Sequence, residues 1–156
     1  MMQAQVSDDL DRLMAVMATA FEPTWGEAWT RRQVEDSLIT GHCDYFLIGA
    51  DGAAAAPGEP AAGFILTRLI AGETELLLLA VDPRWRRRGL GALLLLELER
   101  AARSKSAGRL FLEMRRGNPA EDLYRRFGFE AVGERPKYYR TTSGERIDAV
   151  TFTKSL

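Results

Sequence analysis

Residues 73–103 read ETELLLLAVDPRWRRRGLGALLLLELERAAR, and their order decides the fold. Glu73 to Val81 is apolar on both sides from Leu76 onward, the pattern of a central strand covered from both faces. Asp82-Pro83 ends that strand, and the basic segment Arg84 to Arg88 leads into Gly89. From Leu90 to Arg103 the residues Leu90, Leu93, Leu94, Leu98, Ala101 and Ala102 fall on one stripe, with Glu99 and Arg103 placed to pair at i,i+4; this is an amphipathic helix. After Gly108 a second run apolar on both faces, Leu110 to Met114, completes a strand–loop–helix–strand crossover of the kind that parallel strands need.

The flanking segments complete the element order. C-terminal to the crossover, Asn118-Pro119 opens a helix through Phe127, with Glu121 and Asp122 in its first turn and Gly128 at its end. Phe129 to Val132 and Ile147 to Thr153 are closing strands. On the N-terminal side, Ser7 is a candidate N-cap with Asp8 and Asp9 in the first turn, and Leu10, Leu13, Met14, Met17 and Phe21 recur at helical spacing until Pro23 and Gly26. Thr30 and Gln33 spell a capping box ahead of Val34 and Leu38, so a short second helix runs to Gly41. Tyr45 to Ala50 and Ala62 to Ile70 are an antiparallel pair. Between them the turn Asp51-Gly52 and the stretch AAAAPGEP (53–60) form a surface loop with no chemistry assigned to it. The expected architecture is α/β: a mixed sheet with antiparallel pairs at its ends and a parallel crossover in the middle.

Composition narrows the function classes. The chain has 156 residues, 21 basic against 22 acidic, a net charge of −1 and a hydrophobic fraction of 46%, which predicts one domain over residues 1–156. Near-neutrality disfavours nucleic acid and anionic membrane as partners. A single cysteine, Cys43, and a single histidine, His42, exclude a disulfide framework and leave no zinc-ligand pattern or histidine-based triad. No signal peptide or membrane-length apolar run is apparent, and a reducing cytoplasm fits best.

The segment Arg86-Arg87-Arg88-Gly89-Leu90-Gly91-Ala92 places arginines and glycines at a helix N-terminus, where unpaired N–H groups and the helix dipole face an anion. It lacks the Lys-Ser/Thr of a Walker loop and the spacing of a dinucleotide fingerprint, so a pyrophosphate bound without metal fits better. The plainer alternative is a solvated arginine loop in which Gly89 serves the turn. Glu113 interrupts an otherwise apolar strand near its C-terminal end, where open α/β sheets place ligands, and there a carboxylate could act as a base. The alternative is a strand-end carboxylate paired with Arg115 or Arg116. On pattern alone Tyr124 is a core aromatic, and Tyr138 and Tyr139 are ordinary strand tyrosines.

The 86–91 segment resembles the R/Q-x-x-G-x-G/A element of the GCN5-related N-acetyltransferases (GNAT), and the resemblance extends from about Trp29 to the C-terminus. Leu79-Ala80-Val81-Asp82-Pro83, Leu112-Glu113-Met114-Arg115, Asn118, Leu123 to Phe129, Arg135 to Tyr139 and Asp148-Ala149 are similar to the ribosomal-protein-alanine type within that family. The resemblance implies a GNAT-like mixed sheet with helices on both faces. It also implies acetyl-CoA as co-substrate, held by Arg86 to Ala92, by Leu79, Ala80 and Val81 along the pantetheine arm, and by Asn118. Glu113 would be general base and Tyr124 general acid, and Tyr138 and Tyr139 would line a groove for a protein N-terminus, such as the N-terminal alanine of a small-subunit ribosomal protein. Lysine side chains or small-molecule amines are alternative acceptors, and a non-catalytic acyl-CoA-binding module is an alternative of another class. One departure stands out: between Asn118 and Tyr124 the chain is one residue shorter than the family's N-x-x-A-x-x-L-Y spacing, and it carries Pro119 there.

Overall fold

The computed structural model describes the backbone of residues 2–156 and the side chains from Asp8 onward. Helix α1 spans Met2–Ala20 and α2 spans Arg31–Thr40. Strands β1 (Cys43–Ile48), β2 (Gly63–Ile70) and β3 (Glu73–Val81) follow, then α3 (Leu90–Ser104), β4 (Arg109–Arg115), α4 (Glu121–Arg126), β5 (Glu130–Arg140) and β6 (Arg146–Ser155). Short 3-10 turns occupy Pro23–Trp25 and Pro83–Trp85. Among the described residues no helix is long and apolar enough to cross a membrane.

All six strands form one sheet in the order β1-β2-β3-β4-β6-β5. Only β3 and β4 run parallel, and their crossover is α3; every other neighbouring pair is antiparallel. The expected mixed sheet with antiparallel ends is therefore present. Helices α1 and α2 cover one face, burying Leu13, Val16, Met17 and Val34 against Phe64, Leu66 and Leu78. Helix α3 covers the other, where Leu94, Leu95, Leu98 and Ala102 have no exposed surface. Each fully buried leucine contributes roughly 1.5–3 kcal/mol, enough for this face to fix the crossover.

Local signals account for most element ends. The capping box is formed: Thr30 Oγ1 accepts from the Gln33 N–H at 3.2 Å, and Gln33 Oε1 accepts from the Thr30 N–H at 2.7 Å. Three expectations need correction. The helix expected to start at Ser7 begins at Met2, leaving Ser7 inside it; Met2 to Val6 contains no Gly or Pro to stop it. The helix expected from Asn118-Pro119 begins at Glu121. Asn118 makes a turn ahead of it, its Oδ1 accepting from the Ala120 N–H at 2.9 Å and its carbonyl from the Glu121 N–H at 3.1 Å. The strand expected to end at Val132 continues to Arg140. β5 is an edge strand and almost wholly exposed, so it lacks the apolar alternation that marks a strand. Pro136 is tolerated where the register breaks between Arg135 and Tyr139.

One irregularity shapes the molecule. In the β2–β3 pairing Leu66 faces Leu78 while Thr67 faces Leu76, so Leu77 is an extra, bulged residue. The bulge reverses the alternation of β3. Leu76 packs in the α3-side core, whereas Leu78 and Ala80 pack in the α1/α2-side core. The β3–β4 ladder runs from Glu73 with Arg109 to Leu76 with Leu112 and stops at the bulge. Beyond it β3 stays with β2 and β4 stays with β6, so the sheet splits in its middle.

Candidate active site

A cavity of about 280 Å³ opens where the strands part. Leu76 to Leu79 form one wall and Leu112 to Met114 the other; Asn118, Tyr124, Tyr139 and the 26–29 loop complete it. The β4-facing edge of β3 from Leu77 to Val81 has no strand beside it. Of the residues expected to contact the cofactor there, Leu79 lines the cavity and Ala80 and Val81 do not, and the Val81 carbonyl accepts from Arg86.

The basic loop lies at the end of β3. Arg84 is taken by Asp82, with Nη2 at 3.1 Å from Oδ2 and Nε at 3.2 Å from Oδ1, and this pairing holds the Asp82 carboxyl below its usual range. Arg86 turns inward: its Nε donates to the Val81 carbonyl at 3.1 Å and its Nη2 to the Ala20 carbonyl at 2.7 Å. Arg88 lies over the Trp85 ring at 5.0 Å. Arg87 and Arg88 are exposed and make no ion pair among the described residues. Gly89 is the N-cap of α3 at φ +79°, with open space where a Cβ would stand. The first backbone bond of α3 runs from the Leu93 N–H to the Gly89 carbonyl, so the N–H groups of Leu90, Gly91 and Ala92 precede the helical ladder. Gly91 has a different constraint, since a Cβ there would come within 2.9 Å of Leu123 Cδ2 on α4.

Glu113 lies on the β4 wall of the cavity. It pairs with neither Arg115 nor Arg116. Its Oε2 lies 3.1 Å from Arg135 Nε on β5 and accepts from the Thr151 hydroxyl on β6 at 3.4 Å. Tyr124 reaches the same cavity from α4, buried with 7% of its surface exposed and edge-on to Phe129. Burial, reinforced by the negative charge of Glu27, raises its hydroxyl above the ordinary tyrosine range. Among the described residues that hydroxyl meets no protein hydrogen-bond partner.

The two adjacent tyrosines separate. Tyr139 lines the cavity, donates to the Glu113 carbonyl at 3.5 Å, and is pushed up to about 12 by burial and then by Glu113 and Glu27. Tyr138 is 51% exposed, stands edge-on to Tyr139 at 5.2 Å and does not line the cavity. Asn118 lines it as well, although its side chain is occupied by its own turn. Sequence reading missed Glu27, Trp29 and Gln33, which enter the cavity from the loop between α1 and α2 and the start of α2. Gln33 is marked only as a capping residue, and nothing local marks Glu27, which finds its partner Arg115 only across 88 residues of chain. The rim is tied where this loop meets the β5–β6 turn: the Thr142 N–H donates to the Thr24 carbonyl at 3.0 Å.

The sequence profile of the acetyltransferase (GNAT) family matches residues 10–129. The ribosomal protein bS18-alanine N-acetyltransferase of Escherichia coli K12 is 39% identical over 90 residues, spanning 57% of this chain and 60% of that enzyme. A Bacillus subtilis relative is 29% identical over 140 residues, 88% of this chain and 85% of its own length. The crystal structure of the Escherichia coli ribosomal-protein-S18-alanine N-acetyltransferase superposes with a TM-score of 0.78 at 28% identity, covering 94% of this chain and 87% of that one.

Proposed function

The chain belongs to the GNAT acetyltransferase family, and from that premise we propose that it transfers the acetyl group of acetyl-CoA to the α-amine at a protein N-terminus. The leading acceptor is the N-terminal alanine of a ribosomal protein, as in the named Escherichia coli relative. The observation that carries the reading is the cavity at the split of β3 and β4, which Glu113 and Tyr124 both line.

Acetyl-CoA supplies an acetyl group activated as a thioester. The loop suits its pyrophosphate: Gly89 leaves open space beside the backbone, the N–H groups of Leu90, Gly91 and Ala92 are free of the ladder, and Arg87 and Arg88 are unpaired cations. The free edge at Leu79, Ala80 and Val81 would take the amide-bearing pantetheine arm. An α-amine has a pKa of about 7.7–8.0 and is mostly protonated at neutral pH. Glu113 removes that proton, directly or through water, so that the nitrogen can attack the carbonyl carbon. Tyr124, held neutral by its burial, donates a proton to the departing sulfur. Tyr139 lines the cavity beside the loop that the Thr142–Thr24 bond ties down, which suits an extended N-terminus entering end-on. Such an acceptor places the enzyme in the cytoplasm.

The test is acetyl transfer to a panel of peptides differing only in their first residue, with the acetyl group located by mass spectrometry. Efficient transfer to the α-amine of an alanine peptide supports the reading. Acetylation confined to lysine side chains, or turnover only with polyamines or aminoglycosides, replaces it with the corresponding acceptor class. Acyl-CoA binding with no thiol release on any amine makes the chain a binding module.

A further inference from the structure

Among the described residues only two charged side chains line the cavity, Glu113 and Glu27, and both are acidic. Their cationic partners stand outside the lining. Arg135 backs Glu113. Arg115, itself buried, backs Glu27 through Nε at 3.4 Å while its guanidinium stacks on Trp25 at 3.9 Å. Each carboxylate therefore has one engaged oxygen, Oε2 of Glu113 and Oε1 of Glu27, and a second oxygen with no hydrogen-bond partner among the described residues. Glu27 is only 19% exposed, and a carboxylate so placed with half its acceptor capacity unused favours a cationic donor from the cavity side. Its charge already reaches across the space, raising the hydroxyls of both Tyr124 and Tyr139. The backbone presents it deliberately: Gly26 turns through the left-handed region at φ 61° immediately before Glu27, and Thr24 is fixed to the β5–β6 turn.

We propose that Glu27 is a specificity-determining residue that holds the ammonium form of the acceptor in the cavity, as the anchor from which Glu113 then takes the proton. The proposal rests on the N-terminal acceptor reading above and names the residue that recognises the amine's charge. It divides the labour of the two carboxylates. Glu27 selects a charged amine at binding, and Glu113 acts on it afterwards.

The experiment measures binding of an alanine-initiated peptide with a free N-terminus and of its N-acetylated form, each by calorimetric titration of the enzyme saturated with CoA. The wild type is expected to bind the free-amine peptide at least tenfold more tightly. In Glu27→Gln that ratio should fall towards one while affinity for the acetylated peptide is unchanged, and Glu27→Asp should restore part of it. In Glu113→Gln the ratio should persist, which keeps the proposal falsifiable if Glu27→Gln fails to fold. A ratio retained in Glu27→Gln, a ratio lost in Glu113→Gln, or parallel loss of both peptides in Glu27→Gln overturns the proposal, the last by showing that Glu27 only anchors its loop. A wild type that binds neither peptide, and acetylates none, overturns the N-terminal reading itself.

Discussion

Leu76 and Leu78, two positions apart on one strand, pack into opposite cores of the sheet. Regular alternation would put them on the same face. The extra residue between them, Leu77, both reverses the alternation and ends the β3–β4 ladder at Leu76 with Leu112, so the cavity is a consequence of the bulge.

Deleting Leu77 is therefore expected to close the split while leaving every other residue of β3 on its present face. The ladder can then extend past Leu112, and the two cores lose only the partly buried Leu77 side chain on the α1/α2 side. The variant should unfold cooperatively with a melting temperature within about 4 °C of the parent, corresponding to roughly 1 kcal/mol, yet lose CoA binding by calorimetry. Retention of CoA affinity would show that the cofactor does not need the split.

The two loop glycines should fail differently. Gly89→Ala forces a side chain into a left-handed conformation at φ +79°, at a cost of roughly 1–2 kcal/mol, and should weaken CoA binding without disturbing α4. Gly91→Ala pushes on Leu123, 2.9 Å from the new Cβ, so pairing it with Leu123→Ala should recover stability. Chemical denaturation and CoA titration on each glycine variant, with and without Leu123→Ala, separate the effects. Equal recovery of Gly89→Ala by the Leu123 change would contradict this account.

Glu113→Gln and Tyr124→Phe should each lower kcat by about 10²–10⁴ with CoA affinity nearly intact. Near-full turnover in both would make these side chains structural. Because burial raises the Tyr124 hydroxyl, it remains a proton donor past the ordinary tyrosine value near 10. The kcat profile should therefore show no alkaline loss below about pH 10 that disappears in Tyr124→Phe.

The same tyrosines set an alkaline limit on stability. Tyr45 is raised by burial and by its 2.6 Å hydrogen bond to Asp9, Tyr124 by burial and Glu27, and Tyr139 by burial and then Glu113 and Glu27. Each folded value lies above the unfolded one, so the stabilisation is complete below about pH 10 and is lost as pH rises through the folded values. Denaturant midpoints should fall above that point, with tyrosinate absorbance rising as the protein unfolds. Full ionisation of Tyr45, Tyr124 and Tyr139 in the folded protein near pH 10 would refute it.

Tyr139→Ala should weaken an N-terminal peptide far more than Tyr138→Ala, since only Tyr139 lines the cavity. Competition binding at saturating CoA checks this. Equal losses would show that both rings touch the acceptor.

Much of this was legible where the information is local. Glu73–Val81 has the bounds its turn residues predict, and the Thr30/Gln33 box forms as spelled. Leu76 to Leu79 conceal the bulge, because four consecutive leucines satisfy either face equally and carry no phase. The sequence of β5 reads short because an exposed edge needs no apolar period. In the cavity, Glu113, Tyr124 and Tyr139 converge from elements whose motifs mark them, but Glu27 and Arg135 reach the site through tertiary pairing alone. The position of Arg86 shows the same limit: four arginines at 84–88 look interchangeable, and only the fold assigns one of them to two carbonyls.

Those two carbonyls belong to different neighbourhoods. One guanidinium joins Val81, the last residue of β3, to Ala20, the last residue of α1. On the proposed reading the two substrates would arrive at thresholds hung from a common hinge, and a cofactor that steadied the first would also steady the second. The expected kinetics are those of compulsory order, acetyl-CoA before peptide, visible in dead-end inhibition patterns and relaxed to random order in Arg86→Ala. An unchanged order in that variant would mean the hinge carries no message; otherwise sequence of arrival is written into the architecture by a side chain that need touch neither guest.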